Sequence, residues 1–437
     1  MNEASLPLGS DATAGPHTSS AQVTGTRKHR AVVAAAIGNG LEIYDFTVYS
    51  FFAAIIGRLF FPTSSPMASL LLSFATFGIG FVMRPLGAVL IGGMADKRGR
   101  KAALTLTIGL MTVGTALIAF TPSYASIGVS ATVLVVLGRL LQGLSAGGEV
   151  GAASALLMES ANQGRRCFLA SWQAATQGAA ALLGALTGAA VSGSLSAEAL
   201  QSWGWRVPFI IGLLIAPVGI YIRRHLEETH TETREHASLR AVIREHGRTL
   251  LLGILLMTSS TSSMYIMVFY MPTYLVNTLH MPQVTAFLAA CVAGATMLIM
   301  APLFGRLADR LPRRKPLLIA NSIVSMCLLI PNFALLSSGP GLALTLCCIA
   351  LSVTIGSVGS GAGAAMMMEA LPRHHRATGM SIMYSVGVTV FGGFAPLIVT
   401  WLIATTGSPL APAGYLFCAI VISFVALLLF PSHPNRE

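Results

Sequence analysis

The sequence predicts an all-α polytopic membrane protein of twelve transmembrane helices arranged in two six-helix halves, on three observations. The 437 residues are 54% hydrophobic and only 10% charged, the balance of a chain whose solvent is mostly lipid. Long apolar runs alternate with short connections, and each run can cross a hydrocarbon core of about 30 Å at about 1.5 Å per residue. Of the 27 Lys and Arg residues, 23 fall in one alternating set of those connections. The positive-inside rule places that set, and with it both termini, in the cytoplasm.

In order, residues 1–30 are rich in Ser, Thr, Ala and Gly without an apolar core, and read as a disordered cytoplasmic tail. Six runs fill the N-terminal half, 31–222, near 31–57, 68–94, 102–121, 128–158, 167–191 and 204–222. The polar segment 223–247 is the longest connection and reads as a cytoplasmic linker. Six more runs fill the C-terminal half, 248–431, near 248–276, 283–305, 316–336, 342–370, 377–403 and 411–431, before a short tail, 432–437.

The net charge of +11 would suggest nucleic acid if the basic residues formed one patch, but they are dealt out between spans. The six cysteines lie in or beside spans without metal or redox spacing, and read as small packing residues. His280 near an external end and the His374–His375 pair in a cytoplasmic loop read as solvated surface. No nucleophile, base and orienter can be assembled, and no glycine-rich stretch is a phosphate loop, so neither an enzyme nor coupling to ATP is expected, and no cofactor.

Short patterns recur between the halves. Gly92, Asp96, Lys97, Arg100 and Lys101 return 213 positions later as Gly305, Asp309, Arg310, Arg313 and Arg314, and Glu159 with Arg166 returns 210 positions later as Glu369 with Arg376. Two matches at nearly one offset indicate an internal duplication.

Polar residues inside the apolar runs need a reason, since a cation there costs about 2.5–3.5 kcal/mol or more. Arg139, Gln142 and Glu149 share one face of the fourth run, and Asn39, Glu42, Asp45 and Tyr49 cluster on one side of the first. Arg84, Gln173 and Gln177 add to them. A polar cavity would satisfy them all, whereas lipid would satisfy none. Arg84 and Arg139 either neutralise buried acids or grip a carboxylate with the guanidinium fork. Glu42, Asp45 and Glu149 are either ion-pair partners or proton carriers. Gln173, Gln177 and the hydroxyls of Thr258 to Ser263, Thr261 among them, are interhelical glue or ligand contacts, and Tyr265 and Tyr270 packing or ligand contacts.

The stretch Gly92-Gly-Met-Ala-Asp-Lys-Arg-Gly-Arg-Lys101 matches the loop signature of the major facilitator superfamily, and the chain resembles that family from about residue 30 to 431. Gly38 to Phe46, Phe81 to Ala88, Gly138 to Glu149 and Trp203 to Phe209 look like its metabolite:proton symporter branch. Met257 to Ser263 with Tyr270 to Tyr274, and Tyr384-Ser385 ahead of Phe391 to Pro396, are most similar to citrate-proton symporters within it. The resemblance implies the major facilitator fold and an inner-membrane carrier, functional as a monomer, that moves a small organic acid with protons by alternating access. Citrate or a related tricarboxylate is the expected cargo; the alternatives are a dicarboxylate, a shikimate-like acid, an aromatic acid, a zwitterionic osmolyte and, more distantly, drug efflux. It implies substrate contacts at Arg84, Arg139, Gln142, Gln173, Gln177, Thr261, Tyr265, Tyr270, Tyr384 and Ser385, and proton coupling through Asp45, Glu42 or Glu149. It further implies a cytoplasmic latch of Gly92, Asp96, Arg100, Gly305, Asp309, Arg313, Glu159, Arg166, Glu369 and Arg376.

Overall fold

Long apolar stretches with few helix breakers close their backbone hydrogen bonds internally, the condition for crossing a bilayer. In the computed structural model the described residues are 40, 42–98, 100–159, 165–224, 239–372 and 375–431. The N-terminal half contains α1 (Glu42–Phe51 and Ala53–Phe60, bent by 71° between them), α2 (Pro66–Arg98), α3 (Arg100–Phe120), α4 (Val129–Glu159), α5 (Arg166–Ser194) and α6 (Val207–Arg224). The C-terminal half contains α7 (Val242–Asn277), α8 (Gln283–Arg310), α9 (Lys315–Ser337), α10 (Leu342–Glu369), α11 (Thr378–Thr406) and α12 (Ala411–Leu429). Among the described residues nine helices are long and apolar enough to span; the bent α1 pair and the shorter apolar helices in α3 and α6 complete the twelve expected. The expected tails, most of the expected linker and Asn39 lie outside the described residues.

Close approach of small residues positions the polar side chains. A Cβ on Gly143 of α4 would collide with the carbonyl of Gly80 on α2, so the two backbones touch, and this fixes Arg139 and Arg84 against the same interior. Between the halves α5 lies along α8, where a Cβ on Gly178 would stand 2.8 Å from the carbonyl oxygen of Gly294.

Two spans of the C-terminal half leave the regular α-helix at comparable depths. Tyr265–Tyr270 in α7 and Val388–Gly393 in α11 are π-helical. The two segments adjoin: a Cβ on Gly392 would meet Thr261 and the Tyr265 ring. Such widened turns re-aim side chains inside a helix, and here they lie beside the polar interior.

Candidate functional site

Arg139 is 1% exposed and organises the deepest part of the N-terminal half. Its guanidinium carbon lies 3.5 Å from the centre of the Tyr49 ring and within 5.4 Å of the Phe46 and Phe77 rings. Desolvated contacts of this kind offset part of the cost of burying the charge, about 2 kcal/mol or more. Its Nη1 donates to Gln142 Oε1 at 2.7 Å, whereas Nε and Nη2 have no hydrogen-bond partner. Two buried, charged donors are thus left without acceptors, a feature whose chemistry suits an anion.

Gln142 carries that feature onward. Its Nε2 donates to Thr115 Oγ1 at 2.9 Å and faces Asp45 Oδ2 at 3.4 Å, and Thr115 also donates to Asp45 Oδ2. Asp45 is buried and held by neutral donors. A carboxyl held by a threonine hydroxyl and an amide can keep its contacts in either protonation state, because the hydroxyl can donate or accept.

Arg84 behaves differently. Its Nη2 contacts Glu42 Oε1 at 2.5 Å, and its guanidinium lies 4.3 Å from the Phe81 ring centre and 5.3 Å from that of Phe46. Phe46 is therefore shared by both arginines. From the C-terminal half the Tyr265 and Tyr384 hydroxyls face Arg84. Arg84 thus joins an acid of α1 to two tyrosines of the other half, and of the two roles read from the sequence, ion pairing accounts for its Glu42 contact.

Next to these tyrosines is a cavity of about 250 Å³, lined among others by Gln173, Gln177, Thr261, Tyr265, Asn332 and Tyr384. Its polar lining is hydroxyl and amide, and none of the lining residues is charged. Gln177 Nε2 lies 3.4 Å from the Tyr384 hydroxyl, which links the halves across the cavity wall. Tyr270 and Ser385 are buried but do not line the cavity. Tyr270 packs on Phe74 with ring centres 5.5 Å apart and accepts a hydrogen bond from Thr400 at 3.2 Å. It belongs to a contact between the halves at the end remote from the basic loops, where Ser50 Oγ also donates to the Phe269 carbonyl at 3.0 Å.

The halves also meet at the basic end. Asp309 accepts from the backbone N–H groups of Cys167 and Phe168 at 2.8 and 2.9 Å, placing a carboxylate on the N-terminus of α5. Glu369 pairs with Arg166 of the other half at 3.1 Å and with Arg314 at 2.5 Å. Arg313 is exposed, and its neighbour Arg314 takes the pairing position. Arg376 bonds the Leu371 carbonyl at 2.9 Å, so the contact of Glu369 is with the Arg166 of the first repeat rather than the Arg376 of its own. Gly305 lies against Cys167 and Ser171. The side chains of Asp96, Arg100, Glu149 and Glu159, and the surroundings of Gly92, lie outside the described residues.

Sequence reasoning assigned no site role to Thr115, Phe46, Phe81 or Arg314. A threonine or phenylalanine inside an apolar run carries no signal, because only the packing of α1, α2 and α3 decides which ring meets a guanidinium. His375 corrects the expectation of solvated surface: it is 5% exposed and bonded to His246 at 3.1 Å.

Comparison with known proteins follows the same lines. The family model described as Major Facilitator Superfamily matches residues 35–386 and 292–437. The chain is similar to a citrate-proton symporter of Klebsiella pneumoniae, 36% identical over 401 residues covering 91% of this chain and 90% of that protein. It is also similar to a proline/betaine transporter of Salmonella typhimurium, 32% identical over 93% of this chain and 84% of that protein. Among solved structures, a D-xylose-proton symporter superposes with a TM-score of 0.77 at 17% identity, covering 92% of this chain and 98% of that one, a likeness of fold. Matched by that family model over most of its length and by a relative 36% identical over 91% of the chain, this protein belongs to the major facilitator superfamily.

Proposed function

We propose that this chain imports a small organic anion together with protons, with citrate or a related tricarboxylate as cargo, by alternating access between its two halves. The observation that carries the reading is Arg139, a buried cation with two unpartnered donors, connected through Gln142 to Asp45. The first group suits a carboxylate and the last suits a proton, and they stand one side chain apart. Importing a trianion against a negative interior costs about 2.3 kcal/mol per charge per 100 mV, so roughly 7 kcal/mol at 100 mV. Protons moving with the anion remove that penalty. The similarity to citrate-proton symporters supports the cargo class, and the hydroxyl-rich cavity beside Arg84 supplies donors for several carboxylate oxygens.

In this reading the substrate spans Arg139, Gln142 and Arg84 on one side and Gln173, Gln177, Thr261, Tyr265 and Tyr384 on the other. Asp45 is the proton carrier, and Glu42 is committed to Arg84. Asp309, Glu369, Arg166 and Arg314 form the latch that closes the basic end, and the positive-inside rule makes that end cytoplasmic, in a monomer of the inner membrane. A zwitterionic osmolyte is the second reading, favoured by similarity to proline/betaine transporters at 31–33% identity. Uptake of labelled citrate by cells expressing the chain decides between them, with tricarballylate, succinate, shikimate, proline and betaine as competitors at several external pH values. Competition by tricarboxylates and acceleration at low pH is the expected result; competition by proline and betaine alone overturns the anion reading.

A further inference from the structure

At the basic end of the C-terminal half, away from the polar interior, three potential metal ligands converge. Glu245, His246 and His375 place one ligand atom each so that all three lie within 4.8 Å of one another. His246 Nε2 is 3.1 Å from His375 Nδ1, and Glu245 Oε2 is 4.0 Å from the same Nδ1. Around a tetrahedral ion with metal–nitrogen bonds of about 2.0–2.1 Å, ligand atoms stand about 3.3 Å apart. The two imidazoles are already close to that separation, and the Glu245 carboxylate, 4.0 Å from His375 Nδ1, is exposed and so can swing inward to join them.

The backbone explains how neighbouring residues come to share a target. On a regular helix consecutive side chains diverge by about 100°. At His246 the backbone leaves the helical region, with φ −121° and ψ 19°, and Glu245 and His246 both reach His375. His375 in turn is the N-cap residue of the helix Arg376–Gly387, its own N–H bonded to the Pro372 carbonyl at 2.9 Å. One ligand is thus buried and fixed by a helix start, while two are offered by a helix break.

We propose that Glu245, His246 and His375 form a binding site for a first-row transition-metal dication, with zinc as the reference ion. Two imidazoles and one carboxylate select such an ion over magnesium or calcium, which take oxygen ligands, and leave a fourth position for water. The site joins the base of α7, where the expected linker already runs into the helix, to the base of α11. These spans present Tyr265 and Tyr384, so a bound ion would tie together the feet of the two helices that face Arg84 from the C-terminal half.

The test uses the full-length protein, purified without a polyhistidine tag and held in nanodiscs, titrated with zinc chloride against a chromophoric chelator. The wild type should retain zinc in the presence of excess magnesium, and His246→Ala and Glu245→Gln should each weaken retention by roughly tenfold or more. Both residues are less buried than His375, so these variants remain readable if His375→Ala fails to fold. Cobalt should give the intense visible bands of a tetrahedral site in the wild type and lose them in His246→Ala. His280→Ala, in the connection between α7 and α8, serves as a control that leaves binding unchanged. Equal zinc retention by wild type and His246→Ala, or no retention by the wild type, overturns the proposal.

Discussion

Arg139 and Asp45 are joined through a single side chain: Gln142 accepts from the Arg139 guanidinium at 2.7 Å and presents its amide nitrogen to Asp45 at 3.4 Å. The amide therefore couples an anion-seeking cation to a carboxyl. An anion arriving at the free donors of Arg139 competes for its charge and changes how firmly it holds the Gln142 oxygen. In the proposed reading that change would reach Asp45, because the other end of the same amide faces it, and would link the substrate and proton events.

Removing the charge of Arg139 should therefore remove affinity. Arg139→Gln should weaken substrate binding more than tenfold, since a charge-assisted pair is worth about 1.5–3 kcal/mol. Arg139→Lys should recover part of it, the planar fork being lost. Binding to purified, monodisperse protein is the measurement, and unchanged affinity would return Arg139 to a structural role.

The coupling should fail without loss of exchange when the carboxyl is neutralised. Asp45→Asn should abolish accumulation driven by a pH gradient yet spare counterflow of labelled for unlabelled substrate, which needs no net proton movement. Because protons are co-substrates in this reading, wild-type uptake should rise as external pH falls, and the variant should lose that slope. Uphill accumulation by Asp45→Asn would show that another group carries the proton.

Glu42 should affect stability more than coupling. Glu42→Ala leaves Arg84 buried without its close acid, and breaking a buried pair from one side costs about 3–5 kcal/mol. Replacing both partners, Glu42→Leu with Arg84→Met, should be milder in thermal unfolding than Glu42→Ala alone, although transport is lost if Arg84 contacts substrate. A double variant less stable than the single one would argue against this pairing as the source of the effect.

Opening of the basic end should respond to Glu369 and Asp309. Glu369→Gln removes the acid shared by Arg166 and Arg314, and Asp309→Asn removes the charge on the α5 N-terminus. Each should raise the reactivity of cysteines introduced on the basic-end portions of α4 and α10 while leaving affinity within a few fold. Unaltered labelling rates in both variants would mean that these contacts do not hold the end closed.

The sequence by itself determined the membrane class, the number of spans, the two halves and their duplicated loops. These follow from local quantities: the length of apolar runs, the side on which positive charge accumulates, and a repeat spacing. It also marked Arg84, Arg139, Asp45 and Glu42 as needing partners, because an ion inside an apolar run is costly wherever the run ends up. Only the tertiary structure decided who the partners are. Glu42 rather than Asp45 meets Arg84, Gln142 and Thr115 meet Asp45, and Arg314 rather than Arg313 meets Glu369. Those choices depend on glycine contacts such as Gly80 with Gly143, which bring backbones together from different spans, and on π-helical turns that re-aim Tyr265. A hydropathy pattern repeats along one helix and carries no record of which face of a second helix lies against it, so pairing had to wait for packing.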